Sequence, residues 1–350
     1  MTAALPARQR PGNRLPALGL ALASLGLLLL GLLASIGIGE TSIAPAVIAQ
    51  VLDNQLFGAT HPLDPIDIGI VWNYRLPRGL VAATCGAGLA LSGLLLQSLL
   101  RNALAEPYLL GVSAGASTGA VLVSVIGLGA GAVSLSMGAF VGALTAFVLV
   151  ALLAGALRQG SAPTQVILAG IAGSQLFNAI TAFLITRSAN AEQARGILFW
   201  LLGNLSGVRW NAVGLALPVI LLGLGICLWH RRTLDAFTFG VDAAASLGVP
   251  VRRLRLLLIG SATLMTAVMV SLVGSIGFVG LVVPHAMRLL AGPRHTRLVP
   301  LCALGGALFL MAADVLSRVL LKGQVLPIGV ITALVGAPAF ALLLLARRHR

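Results

Sequence analysis

RLPRGLVAATCGAGLALSGLLLQSLLRNALAEPYLLGVSAGAS, residues 75–117, is apolar enough to enter lipid, yet Arg75, Arg78, Gln97, Arg101, Asn102, Glu106 and Pro107 punctuate it. A helix that only anchored a chain would not carry these residues, because polar groups at membrane depth are expensive unless neighbouring helices or a water-filled cavity receive them. The stretch reads as part of a working helical bundle.

Composition extends that reading to the whole chain. Of the 350 residues 58% are hydrophobic and 9% charged, with a mean hydropathy of +1.02, whereas a soluble domain carries about 25% charged residues. Apolar runs near the roughly 20 residues that span hydrocarbon recur at 15–38, 77–99, 109–127, 133–156, 164–186, 210–230, 254–273, 276–291, 298–320 and 327–346. The expected fold class is all-α: one polytopic membrane domain over residues 1–350 with about ten transmembrane helices. The first run exceeds the roughly 7–15-residue core of a cleaved signal peptide and no A-x-A site follows it, so it is expected to stay in the mature protein. Cys85, Cys227 and Cys302 lie inside apolar runs without CxxC spacing, which points to packing residues and not to a disulfide framework or a zinc site.

The net charge of +14 takes its meaning from its distribution. With ten crossings and a cytoplasmic N-terminus, Arg8, Arg10, Arg14, Arg101, Arg158, Arg231, Arg232, Arg252, Arg253, Arg255, Arg288, Arg294, Arg297, Arg347, Arg348 and Arg350 share one side, 16 of the 23 basic residues. That split obeys the positive-inside rule with both termini cytoplasmic. Nucleic acid is then an unnecessary partner. Arg75, Arg78 and Arg318 stand against the trend at outer helix ends. They read either as snorkelling side chains or as a cationic patch for carboxylates of another protein.

Small-residue series such as Gly86, Gly88 and Gly93, or Gly111, Gly115 and Gly119, allow close helix approach. Pro107, Pro163, Pro284, Pro327 and Pro338 interrupt or begin apolar runs, so irregular helices of the transporter kind are expected. Two longer loops remain. Residues 40–73 carry Glu40, Asp53, Asp64 and Asp67 and read as an outer amphipathic or extended layer. Residues 230–255 form a basic cytoplasmic loop in which DAAASLG, 242–248, reads as a short helix ended by Gly248 with Pro250 beyond it, a candidate docking peg.

There is no GxxxxGK[ST] loop, and the single lysine, Lys322, falls outside, so ATP-driven work must come from another subunit. No HExxH arrangement is present, and no catalytic residue, metal ligand or cofactor is assigned. Asp314 is the one acid deep in a run. It is either a proton relay or, four residues before Arg318, half of a structural ion pair.

These motifs resemble a known family. GLALSGLLLQSLLRNALAEPYLLGVSAGA (88–116), GSIGFVGLVVPHAMRLLAGPRHTRLVPLCALGGALFLMAADVLSR (274–318), LPIGVITALVGAPAF (326–340), RLPR (75–78) and WLLGNLSG (200–207) are similar, in order, to the FecCD family of type II ABC importer permeases for iron siderophores, haem and vitamin B12. The resemblance implies a multi-pass inner-membrane permease without its own ATPase site, working with a second permease subunit, two cytoplasmic ATP-binding subunits and a periplasmic binding protein. It places binding-protein docking at Arg75, Arg78 and Arg318. It places the ATPase contact at Asp242, Ala245, Ser246, Leu247, Gly248 and Val249, and makes Gln165, Gln175 and Asn178 candidates for the translocation path. The expected cargo is a metal chelate, foremost a ferric siderophore, with haem or cobalamin as alternatives and an ion-coupled carrier using Asp314 as a different class. Two departures stand out: Ala103 replaces the usual proline of RNPLA, and Val325 replaces an acid before the last helix, which would leave Arg318 freer for a partner.

Overall fold

The computed structural model describes residues 14–126, 134–156, 162–187, 191–321 and 323–347. The tail with Arg8 and Arg10, and Arg158, Lys322, Arg348 and Arg350, lie outside the described residues. Among the described residues ten apolar helices make up the bundle: α1 (Arg14–Gly37), α4 (Leu76–Leu99), α5 (Val112–Ile126), α6 (Leu135–Ala156), α7 (Ala162–Thr186), α9 (Trp210–Trp229), α12 (Val251–Val273), α13 (Val279–Ala291), α14 (His295–Val319) and α15 (Ile328–Arg347). They match the ten expected runs. Six are long enough to cross a bilayer outright, and α1, α5, α13 and α15 carry shorter apolar stretches.

Between them sit α2 (Pro45–Phe57), α3 (Pro65–Ile68), α8 (Ala191–Leu201), α10 (Arg231–Thr238) and α11 (Val241–Ser246), with a π-helical segment at Gly69–Arg75 and a 3-10 turn at Pro107–Leu110. The outer layer expected over 40–73 is built around α2, which buries Ile48 and Val51 and ends at Gly58 in the left-handed region. The π-helical segment directly precedes Pro77, whose missing N–H leaves the helical ladder one donor short. It runs straight into α4, giving a single rod from 65 to 99.

This rod is the core of the fold. Nearly every α4 residue is buried, because small residues let its neighbours close in. A Cβ added to Gly86 would lie 2.0 Å from the Gly306 carbonyl oxygen of α14, and one added to Gly93 would lie 1.9 Å from that of Gly280 in α13. The bundle has two ends, here called the Arg75 face and the Arg101 face after the termini of α4.

Between α12 and α13 the chain leaves the helix for residues 274–277, and Phe278 sits at φ 68°. Backbone freed inside an apolar bundle must be satisfied by protein. Tyr108 does this: its hydroxyl accepts from the Ile276 N–H at 2.8 Å and donates to the Ile276 carbonyl at 2.8 Å. The Asn204 N–H donates to Val273 O, and the N–H groups of Ile328 and Gly329 donate to Gly203 O and Leu202 O. The break at 274–277 is thus knitted to its neighbours, but it contains no proline, and Pro284 and Pro338, expected to interrupt helices, lie within α13 and α15.

Candidate functional site

On the Arg75 face two arginines, Arg78 and Arg318, meet one aspartate, and a third, Arg75, lies beside them. Asp314 of α14 is fully buried, and its Oδ1 accepts from Arg78 Nε at 2.7 Å while Oδ2 lies 3.0 Å from an Arg318 terminal nitrogen. Arg78 also donates to Tyr74 Oη and Ser206 Oγ. Arg318 donates to the Ser35 and Ile38 carbonyls, both at 2.9 Å. Arg75 donates to the carbonyls of Ile36, Gly37 and Thr41. The i,i+4 ion pair anticipated for Asp314 and Arg318 is present and Arg78 joins it, so neither arginine is a free snorkelling cation. Nor does Val325 leave Arg318 free: backbone carbonyls of the α1 end and Asp314 occupy it.

Arg75 and Arg318, though buried, line one opening. Gly39, Glu40, Thr41, Ile70, Tyr74, Arg75 and Arg318 line a cleft of about 230 Å³. Arg209, exposed, stands 5.6 Å over the Tyr74 ring beside it. Sequence reasoning missed Arg209 because it lies in the loop before α9, with no motif of its own.

On the Arg101 face, α10 and α11 form an elbow. α10 is strongly two-sided: Leu234 and Phe237 are buried while Arg231 and Arg232 are exposed. The short helix foreseen over 242–248 is α11, and Gly248 closes it at φ 78°. Asp242, Ala245, Ser246, Leu247 and Gly248 are exposed and Val249 is half-buried. Leu247 and Phe239 are 73% and 78% exposed, an apolar pair of the kind that marks a protein contact when rimmed by polar residues.

The predicted path residues separate. Asn178 lines a cavity of about 450 Å³ between α5 and α7, together with Tyr108, Ser113, Ser117, Ser174, Thr181 and Ser275. Gln175 is exposed on another side of α7, and Gln165, half-buried near its start, is also away from this cavity. The lining is uncharged and rich in hydroxyls. The Ser113 and Ser275 hydroxyls are 2.8 Å apart, as are those of Thr118 and Thr181. The signal that could have found it is the 174, 178, 181 spacing, which places three polar side chains on one face of α7. Among the described residues no cluster of His, Cys, Asp and Glu could hold a metal ion.

A sequence profile for the FecCD transport family matches residues 27–346. The chain belongs to this family. Among relatives of this FecCD chain, a cobalamin import system permease from Halobacterium salinarum is 43% identical over 287 residues, covering 80% of this chain and 74% of the relative. The Fe(3+) dicitrate transport permease FecD of Escherichia coli is 38% identical over 279 residues, covering 80% and 86%. A solved transporter described as of metal-chelate ABC type, in an inward-facing conformation, superposes with a TM-score of 0.81 at 31% identity, covering 94% of this chain and 99% of that one. The FecCD chain therefore has the type II ABC importer permease fold, and it is an importer permease for substrates of the metal-chelate type.

Proposed function

We propose that this permease carries a ferric siderophore inward across the bacterial inner membrane, with the Arg101 face and both termini in the cytoplasm. The observation that carries the reading is the hydroxyl-lined cavity beside α7, next to exposed Leu168, Ile171, Leu176, Ile180 and Phe183 on that helix. An uncharged polar wall lets a hydrogen-bonding chelate pass without trapping it. The apolar stripe suits a second permease subunit, a copy or a close paralogue, closing the path from the other side.

In this reading two ATP-binding subunits seat on Asp242, Ala245, Ser246, Leu247, Gly248 and Val249. A periplasmic binding protein presents carboxylates to the cleft floored by Arg75 and Arg318, while Arg78 holds that floor through Asp314. Arg75→Glu with Arg318→Glu is then expected to abolish stimulation of ATPase activity by the binding protein, and Leu247→Asp to abolish copurification of the ATPase. Unchanged stimulation sinks the docking assignment, and unchanged copurification sinks the ATPase contact.

The identity to the cobalamin permease favours a second reading, cobalamin as cargo. Uptake of radiolabelled ferric siderophore and of radiolabelled cobalamin, compared in cells with and without this chain, decides between them.

A further inference from the structure

At the Arg101 end of α4 lies a buried polar chain that no motif reading assigns. His295, the first residue of α14, is 1% exposed. Its Nδ1–H donates to Asp235 Oδ1 of α10 at 2.8 Å, and its backbone N–H donates to the same oxygen at 2.9 Å. Its Nε2 is in hydrogen-bonding contact with Ser98 Oγ of α4 at 2.8 Å, and the Ser98 hydroxyl lies 2.8 Å from Leu94 O. Serine, histidine and aspartate in this order resemble a hydrolytic triad, but Ser98 is 4% exposed and hydrogen-bonded within its own helix, so no substrate reaches it.

Its placement assigns a different role. α10 continues directly into the elbow that carries α11, and Leu234 and Phe237 press it against the bundle. α14 runs from His295 to the Arg318 that floors the opposite cleft. α4 runs beside it, zipped at Gly86 and Gly306 and tied again by Arg78 to Asp314. A displacement of α10 meets α14 through two hydrogen bonds to one carboxylate oxygen. Such bonds are directional, whereas greasy contacts slide.

We propose that His295, held between Asp235 and Ser98, is the positioning residue that carries movement of the α10–α11 elbow into the α4–α14 pair, and so to the Arg75 face. This rests on the reading of α11 as the ATPase contact.

The test uses the complex isolated from membranes through a tag on this chain, with its ATPase subunits, and a fluorophore on Leu320→Cys at the far end of α14. Leu320 is 57% exposed and the three native cysteines of this chain are buried, so labelling within this chain is selective, and the complex without Leu320→Cys, labelled in parallel, gives the background from the ATPase subunits. ATP with vanadate is expected to shift the fluorescence of the parent. His295→Ala is expected to reduce that shift by about tenfold, the range of an ordinary coupling energy, while the ATPase subunits still copurify and trap nucleotide. Asp235→Asn keeps an acceptor at Oδ1 and is expected to retain the shift, whereas Asp235→Ala loses it while its ATPase subunits still trap nucleotide; loss of the shift with trapping intact separates coupling from a merely structural role. A full shift in His295→Ala overturns the proposal. If His295→Ala does not assemble, the Asp235 pair decides, equal shifts in the two variants overturning it. A chain that recovers no ATPase overturns the reading of α11. A parent that traps nucleotide without any shift overturns the joint.

Discussion

Asp314 Oδ1 sits 2.7 Å from Arg78 Nε although the two residues are 236 apart in the chain, and both side chains are shut away from solvent. The pair joins α4 to α14, and Arg318 shares the same carboxylate. Removing the carboxylate leaves two buried guanidinium groups facing each other. Asp314→Leu should therefore destabilise the folded chain by about 3–5 kcal/mol, the usual cost of breaking a buried pair from one side. Thermal unfolding of the detergent-solubilised protein measures it, with exposed Arg209→Ala as a comparison expected to stay within about 0.5 kcal/mol of the parent.

The seam between α4 and α14 has no room for a side chain at Gly86, because the obstacle is the rigid Gly306 backbone. Gly86→Val should force the helices apart and lower stability by about 1–3 kcal/mol, the range seen for overpacked cores. Gly214→Ala in α9, where nothing lies within 4 Å, should instead raise stability slightly, by about 0.5–1 kcal/mol.

Ala103 occupies a turn in which the Ala105 N–H donates to Asn102 O and the Leu104 N–H donates to Asn102 Oδ1. The asparagine side chain closes this turn, which explains how it forms without the family's proline. Because Ala103 lies at the second position of the turn, where proline's fixed φ is suited, Ala103→Pro should stabilise by about 0.4–1 kcal/mol through the unfolded chain. Lower stability in Ala103→Pro would mean that this turn needs its backbone freedom.

Burial pushes the Glu106 carboxyl above its usual 4.5. The folded chain thus disfavours the charged form. The penalty is absent below 4.5, grows as pH rises towards the raised value, and is complete above it. Glu106→Gln should accordingly raise the melting temperature at about pH 8 and leave it unchanged at about pH 4. An equal gain at both would rule out ionisation as the cause.

The ten apolar helices were legible because length and hydropathy are local properties, and α11 was legible because Gly248 and Pro250 punctuate it. α8 and α10 were not. Each is short, and α10 is fixed by burying Leu234 and Phe237, partners that periodicity over eight residues does not name. At the site, the charge count isolated Arg75, Arg78 and Arg318. Asp314 was legible as a partner of Arg318 one helical turn away, but Ser35, Ile38 and Thr41, and Asp314 as seen from Arg78, are distant in sequence, so burial of these arginines could emerge only from the assembled bundle. Asn178 was legible as a polar residue in an apolar run, but the serines around it belong to three segments that only folding brings together.

The two hydrogen bonds between Tyr108 and Ile276 have a consequence for the break between α12 and α13. A break in a membrane helix that relied on water would set a line of hydrogen-bonded molecules within hydrocarbon, and protons hop readily along such a line. Here one phenol supplies both the donor and the acceptor that water would have supplied. The Ile276 backbone thus needs no water of its own, although Tyr108 and Ser275 border the hydroxyl-lined cavity.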